Sequence, residues 1–550
     1  MTYGLSHEAD PALAKAWKAN GWWSDQSLQA RIDQLAAERP DDPAYIMANA
    51  RFTWGDYARR SDEIAAALVT LGLAAGDRVA VIMPDGPAIH AVFVGIAKAG
   101  LITVGLGSRA GDQEIAHLLG KTGARALITH ADLRGRSPQD LQATLAAKGV
   151  SLERLVTVPD YLSPGADDAI LIDGVPVIGA PKPPGPGVGP DSLFMINSTS
   201  GTTGLPKCVM HTQNRWGYFH YLAERAGEFR PGNEVFMGAV PAPFGFGLWT
   251  AHFSPALLGV PTVIMEKFDA DLALDLIERE KVTVLGCVST QFIMLLNAQA
   301  ARPRDLSSLR CMFTGGEAVP YERAAEFEEV TGASVLQFYG SNETGALSCT
   351  TAQDTRERRL RTAGRVIEEM EVRLFDPETM EDITGKGVAG QPACRGPAVC
   401  LGYWDDPAAN GKLFTKDGWM LMGDICEVDF EGYLRVVGRT SDFIIRGGKN
   451  ISAPAIEEEV AAHPDIALVA AVAAPDPIFG ERVAVYVTPK PGCEVTLEGI
   501  VAHLKARGVS REWFPEYLVV MDDLPRSSGG KLAKGDLKED ARKRWGASVK

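Results

Sequence analysis

At 550 residues the chain exceeds the roughly 250–300 residues at which a single core stops growing, so two or more domains are expected. Hydrophobic residues make up 46% and charged residues 23%, an ordinary globular balance that excludes wholesale disorder. A formal net charge of -15 argues against a general nucleic-acid or membrane-surface binder, yet leaves room for a local basic site for phosphates.

The opening stretch MTYGLSHEADPALAKAWKANGWW has no uninterrupted apolar core of the signal-peptide kind, and no later stretch reaches the roughly 18–20 apolar residues of a membrane span. The eight cysteines are scattered without a C-x-x-C pair, which suits reduced thiols. A cytoplasmic protein without a transmembrane segment is the expectation. From about Asp62, SDEIAAALVTLGL predicts a helix closed by Gly72, and RVAVIMP predicts a buried strand. DGPAIHAVFVGIAKAG, LITVGL, GDQEIAHLLGKTG and RALITH continue the alternation, so parallel strands with covering helices are expected.

The Pro/Gly-rich GAPKPPGPGVGP at 179–190 reads as a surface connector, because it can hold neither a helix nor a central strand. Beyond it SLFMIN, EVFMGAV, VPTVIME, VTVLGCVS, LRCMFTGG and SVLQFYG are strand candidates separated by helical or turn material. Short strands and Gly turns dominate from about 365 to 440. A final segment from about 441 carries helix, strand and helix, enough for a small domain.

The chemistry concentrates in STSGTTGLPKCVMHT, which follows the strand-like FMIN. Gly201 and Gly204 permit a backbone that brings N–H groups close to an anion; Ser200, Thr202 and Thr203 add donors and Lys207 adds charge. A Walker A loop is excluded, since Pro206 precedes Lys207 and Cys208 follows it. In isolation an ordinary Ser/Thr/Gly turn would read the same way.

The run resembles the signature loop of the adenylate-forming superfamily of acyl-CoA synthetases, adenylation domains and luciferases. The resemblance recurs in family order with FTGGEAVP at 313–320, YGSNETG at 339–345, GWMLMGDICEVDFEGYLRVVGRTSDFIIRGGKNI at 418–451 and PRSSGGKLAK at 525–534. It implies an α/β fold: a large N-terminal adenylation domain, 1–440, of packed α/β subdomains plus a β-rich subdomain, and a small mobile α+β C-terminal domain, 441–550. It also implies roles. The loop from Thr199 to Lys207 would hold the β and γ phosphates of ATP, and Glu343 would position Mg²⁺. Gly315, Gly316 and Glu317 would line the adenine, with Tyr339 and Gly340 at the junction of nucleotide and acyl group. Asp424 would accept both ribose hydroxyls, with Arg439 near the same sugar. Asn342 stands where threonine is commonest, beside the α-phosphate.

Lys531, in a Gly-Gly-Lys context, matches the lysine that bridges carboxylate and nucleotide during adenylation. Ser441 falls at the pivot of the rotating C-terminal domain, where relatives commonly carry Asp or Lys. Gly447 and Gly448 match the turn lining the pantetheine tunnel of coenzyme A, and Phe479 stands where some relatives place an aromatic against the CoA adenine. A core phenylalanine would mimic that last feature.

Amino-acid-activating relatives carry an aspartate in the segment beginning near Pro241, whereas PAPFGFGLW has no acid to pair a substrate ammonium. Phe244, Phe246, Trp249, Val288 and Ser289, with Tyr339 and Gly340, are candidates for an apolar acyl pocket, although aromatics and valine there also suit plain core. The N-terminal WKANGWW, the GGE segment and VSREWFPEYLVVMDDLPR resemble aryl and alicyclic acid ligases, including cyclohexanecarboxylate-type CoA ligases and dihydroxybenzoate adenylating enzymes. The expected activity is a carboxylate-CoA ligase for an aryl, alicyclic or medium-chain fatty acid. Delivery to a carrier-protein phosphopantetheine is the alternative; the chain ends soon after Lys531, which favours free CoA. A homo-oligomer is neither indicated nor excluded.

Overall fold

A computed structural model of the chain describes residues 8–161, 169–183, 185–198, 206–316, 319–439, 443–446, 449–526 and 532–546. Thr199, Ser200, Gly201, Thr202, Thr203, Gly204, Glu317, Ser441, Gly447, Gly448 and Lys531 therefore lie outside the described residues.

The predicted alternation folds into two large sheets within a large N-terminal domain. In the first, Leu193–Ser198, Ile102–Leu106, Arg78–Ile82, Ala126–Thr129 and Arg154–Thr157 run parallel, flanked by the antiparallel Cys208–Thr212 on one side and Leu171–Ile172 on the other. Five parallel neighbours buried on both faces explain why these strands read as continuous apolar runs. In the second, Ser334–Ser341, Cys311–Gly315, Val284–Gly286, Phe236–Gly238, Thr262–Val263 and Pro43–Ile46 are parallel in that order, and antiparallel strands close both edges. Capping residues set some of the helix ends. The helix Trp54–Val69 starts before the predicted SDEIAAALV run because Thr53 and Asp56 form a capping box. Asp112–Thr122 stops at Gly123, whose left-handed conformation suits a residue without Cβ.

The expected surface connector at 179–190 is tighter than its composition implies. Val188 is buried, its N–H donates to Ala97 O at 2.8 Å, and its carbonyl accepts from Gln29 Nε2 at 2.7 Å. Proline and glycine here fit the chain against the helix Pro87–Lys98, and a Cβ on Gly187 would lie 2.3 Å from Ala97 O.

Short antiparallel strands do occupy the stretch between 365 and 440: Glu371–Phe375 pairs with Gln391–Arg395, and Asp424–Val428 with Leu434–Arg439. The small C-terminal domain is a five-stranded sheet centred on Ile466–Asp476 and Gly480–Pro489. Strand pleat sorts its residues by parity. Val469, Ala471, Val483, Val485 and Val487 pack with Ile456, Val460, Ile500 and Leu504, while Ala470, Val472, Ala474, Ala484 and Tyr486 pack with Leu537 and Ala541. Among the described residues no helix is long and apolar enough to cross a membrane.

Buried histidines give the fold a pH signature. Burial pulls His220 down to about 4 and lowers His130, His211 and His252, with Arg215 adding to the effect on His211 and His90 to that on His252. The unfolded chain protonates these rings near pH 6.5 and the folded chain does not, so unfolding takes up protons below that pH. Stability is therefore expected to fall as the pH drops from about 6.5 toward 4, by up to about 1.4 kcal/mol per pH unit for each ring. Thermal unfolding midpoints measured between pH 7.5 and 5 check this; a flat profile contradicts it.

Candidate active site

Several sequence-predicted residues lie at or just beyond the C-terminal ends of parallel strands, where open α/β sheets bind ligands. Leu193–Ser198 runs into the predicted phosphate loop, and Cys208–Thr212 returns antiparallel to it with Cys208 opposite Ser198. The two strands thus pair as neighbours, and just before the second one His117 Nε2 donates to Pro206 O at 3.0 Å. Ser334–Ser341 carries Tyr339 and Gly340 near its end and delivers Asn342 and Glu343. Cys311–Gly315 ends at Gly315, and Val284–Gly286 leads to Val288 and Ser289.

One residue that sequence reasoning missed ties two of these parts together. The segment 401–404 lies alongside the hairpin, with Leu401 N–H donating to Met210 O at 3.0 Å and Trp404 N–H to Cys208 O at 2.8 Å. This places Tyr403 between Lys207 and Glu343. Its hydroxyl donates to Glu343 Oε1 at 2.7 Å, and the Lys207 ammonium sits 4.7 Å from its ring centroid. Burial first, then the Glu343 carboxylate, pushes the Tyr403 phenol well above its usual range, which keeps it a donor. A lone tyrosine in GYWDD offers no spacing signal; only the strand pairing reveals its partners.

Two of the residues expected around the nucleotide, Tyr339 and Asp424, meet. Tyr339 Oη donates to Asp424 Oδ2 at 2.8 Å, and the Cys426 thiol lies 3.2 Å from the same Tyr339 oxygen. Burial, followed by Cys426 and Asp424, raises the Tyr339 phenol far above its ordinary value. Asp424 stands directly across the ladder from Arg439. The glycines answer a steric need. A Cβ at Gly340 would lie 1.7 Å from Gly345 O, and one at Gly315 would lie 2.3 Å from Phe338 O; Gly316 adopts φ 79°.

Asn342 already has a partner within the protein. Its Nδ2 donates at 2.7 Å to Asn197 Oδ1, so one amide hydrogen is committed inward before any phosphate arrives. The acyl-pocket candidates divide. Trp249, Val288 and Ser289 are buried, whereas Phe244 and Phe246 keep partial exposure. Trp249 lies in a π-helical turn, Leu248–Phe253, that the sequence did not announce, with ring centroids of Phe246, Phe313 and Phe338 within 5.0–6.0 Å. Phe479 is no core residue: it is 39% exposed, with the guanidinium carbons of Arg482 and Arg446 at 5.0 and 5.4 Å from its ring centroid.

Strand-end loops that collect a lysine, a carboxylate and glycines cleared for close approach make this an α/β enzyme architecture suited to a nucleotide. The chain belongs to the AMP-binding enzyme family, whose model matches residues 32–404, and the family's C-terminal domain matches residues 455–531. It is 31% identical over 542 residues to the medium-chain fatty-acid–CoA ligase of Escherichia coli (strain K12), covering 96% of this chain and 93% of that one. It is 27% identical over 535 residues to the 2,3-dihydroxybenzoate-AMP ligase of Bacillus subtilis (strain 168), covering 96% of each. The crystal structure of ATP-bound MatB from Rhodopseudomonas palustris matches with a TM-score of 0.80 at 25% identity, over 94% of this chain and 99% of that chain. The fold is that of the adenylate-forming ligases.

Proposed function

We propose that the protein activates a small carboxylic acid with ATP and then transfers the acyl group to coenzyme A. A carboxylate oxygen attacks the α-phosphorus, the bond to the β-phosphate breaks, and pyrophosphate leaves. The CoA sulfur then attacks the acyl carbon, its proton passes to solvent, and AMP departs. The observation that carries this reading is the placement of Lys207 and Glu343 on either side of Tyr403, a cation and an anion fixed within one strand-end site.

Lys207 and the loop from Thr199 to Gly204 bind the leaving phosphates, and Asn342 keeps one amide hydrogen for the α-phosphate. Asp424 orients the ribose, with Arg439 beside it, while Gly315, Gly316 and Glu317 border the adenine. Lys531 neutralises charge where the carboxylate meets the α-phosphate. Among the described residues no three His, Cys, Asp or Glu side chains gather into a metal site. One carboxylate is nonetheless a fitting donor set for Mg²⁺, which takes few protein oxygens and completes its shell with substrate phosphates and water. Glu343 would hold it, and the ion would neutralise phosphate charge.

For the second step, the boundary is set at 440/441 with Ser441 as pivot, and Gly447 and Gly448 border the thiol tunnel. Phe479 between Arg446 and Arg482 supports CoA as acceptor, since an exposed ring flanked by guanidinium groups suits a purine bearing phosphates. An aryl, alicyclic or medium-chain acid suits the partly exposed Phe244 and Phe246, and PAPFGFGLW offers no carboxylate for an ammonium. A carrier-protein phosphopantetheine is the second reading, favoured by the likeness to an AMP ligase.

A panel of aromatic, alicyclic and medium-chain acids, assayed for AMP release with free CoA and with a phosphopantetheinylated carrier, tests the proposal. AMP formation that needs one of these acids and CoA is the expected result. No acid-dependent AMP or pyrophosphate with any member refutes the adenylation reading.

A further inference from the structure

Beneath Asn342 and Glu343 lies a side-chain network that none of the roles above uses. Arg215 is 3% exposed and has no carboxylate within hydrogen-bond reach among its described contacts. Its donors go instead to backbone and to a ring. Nε donates to Ala398 O at 2.8 Å, Nη1 to Asn342 O at 2.9 Å, and Nη2 to Glu343 O at 3.4 Å. Nη1 also meets His211 Nδ1.

The direction of each bond in this network is fixed by elimination. Arginine only donates, so His211 Nδ1 accepts and its proton sits on Nε2. That Nε2–H donates to Asn197 Oδ1 at 2.7 Å, and the same oxygen accepts from Asn342 Nδ2 at 2.7 Å. Asn197 Nδ2 in turn donates to Pro243 O at 3.0 Å. Asn197, His211 and Arg215 are all buried, so an unmade bond here cannot be replaced by solvent. The network therefore joins the strand entering the phosphate loop, the strand leaving it, the segment at Pro243 and the turn bearing Asn342 and Glu343. It grips that turn twice, at its carbonyls through Arg215 and at the Asn342 amide through Asn197.

We propose that Asn197, His211 and Arg215 are positioning residues that hold the Asn342 amide and the Glu343 carboxylate in register with the paired strands Leu193–Ser198 and Cys208–Thr212. The proposal rests on the adenylation reading for its kinetic readout but not for its binding readout. Arg215 fits the task because a planar fork reaches several carbonyls at once, which a lysine ammonium on a single stem does not. His211 fits because one neutral ring accepts on one side and donates on the other.

Arg215→Lys, which keeps the charge and loses the fork, is the test in the full-length protein. Calorimetric titration with ATP, with and without Mg²⁺, is expected to show the gain in affinity from Mg²⁺ shrinking by about tenfold. Acid-dependent pyrophosphate release should fall by roughly ten- to a hundredfold, while thioester formation from supplied acyl-adenylate changes by less than about threefold. If Arg215→Lys does not fold, His211→Asn carries the same readouts, since it keeps an oxygen for Arg215 and removes the donor to Asn197. Folded variants with an unchanged Mg²⁺ effect on ATP affinity overturn the proposal, as does an equal loss in both half-reactions, which marks general packing. A wild-type protein that binds ATP with Mg²⁺ but adenylates no acid refutes the adenylation reading alone, and the titration still decides the positioning role.

Discussion

Lys531→Ala is expected to lower acid-dependent pyrophosphate release by about a hundred- to a thousandfold, the scale lost when one fixed electrostatic donor is removed from a reacting centre. The carboxylate and the α-phosphate are both anionic, and their approach is opposed until a positive charge stands where they meet. An alanine supplies none. Thioester formation from supplied acyl-adenylate should persist within about threefold, because the anionic encounter is already over in that half-reaction. Measuring the two half-reactions separately decides the assignment. Equal losses in both would reduce Lys531 to a structural role, and unchanged pyrophosphate release would remove it from the site.

Glu343→Gln is expected to give the second-largest effect, roughly a hundredfold on adenylation, with about tenfold more Mg²⁺ needed for half-maximal rate. The substitution is nearly isosteric, and an amide oxygen still accepts from the Tyr403 hydroxyl, so the bond now seen at 2.7 Å survives. What disappears is the negative charge. The thermal midpoint should therefore change little while the Mg²⁺ dependence moves. A variant with wild-type Mg²⁺ dependence would mean that Glu343 serves only Tyr403.

Much of the scaffold was legible in the sequence because parallel strands buried on both faces leave unbroken apolar runs, as in RVAVIMP, LITVGL and SLFMIN. Helix starts were legible only where the cap was noticed; Thr53 and Asp56 begin their helix well before its apolar stripe becomes obvious. At the candidate site, spacing drew attention to Lys207, Glu343 and Asp424, and the structure places Lys207 and Glu343 against one tyrosine. Tyr403, Asn197 and Arg215 were not legible, because their partners lie far along the chain and meet only through strand pairing. Arg215 reaches Ala398 across 183 residues, and Tyr403 reaches Glu343 across 60. No local pattern encodes such a meeting. The π-helical turn escaped for a different reason: its composition is that of any apolar helix, and only its hydrogen-bond register is unusual.

That turn has a geometric corollary. A π segment is an α-helix carrying one residue too many, and each residue of helix turns the chain by about 100°. Deleting one residue between 248 and 253 would return the stretch to ordinary winding: the wide turn has absorbed the surplus residue, so the helix on either side would keep its direction while the residues inside the turn change places around the axis. Trp249, whose ring centroid is now 5.8 Å from that of Phe246, lies inside the stretch that would be rewound. The shape presented at this end of the sheet is thus set by chain length as well as by side-chain identity, and an insertion or deletion could recut it where no single substitution would.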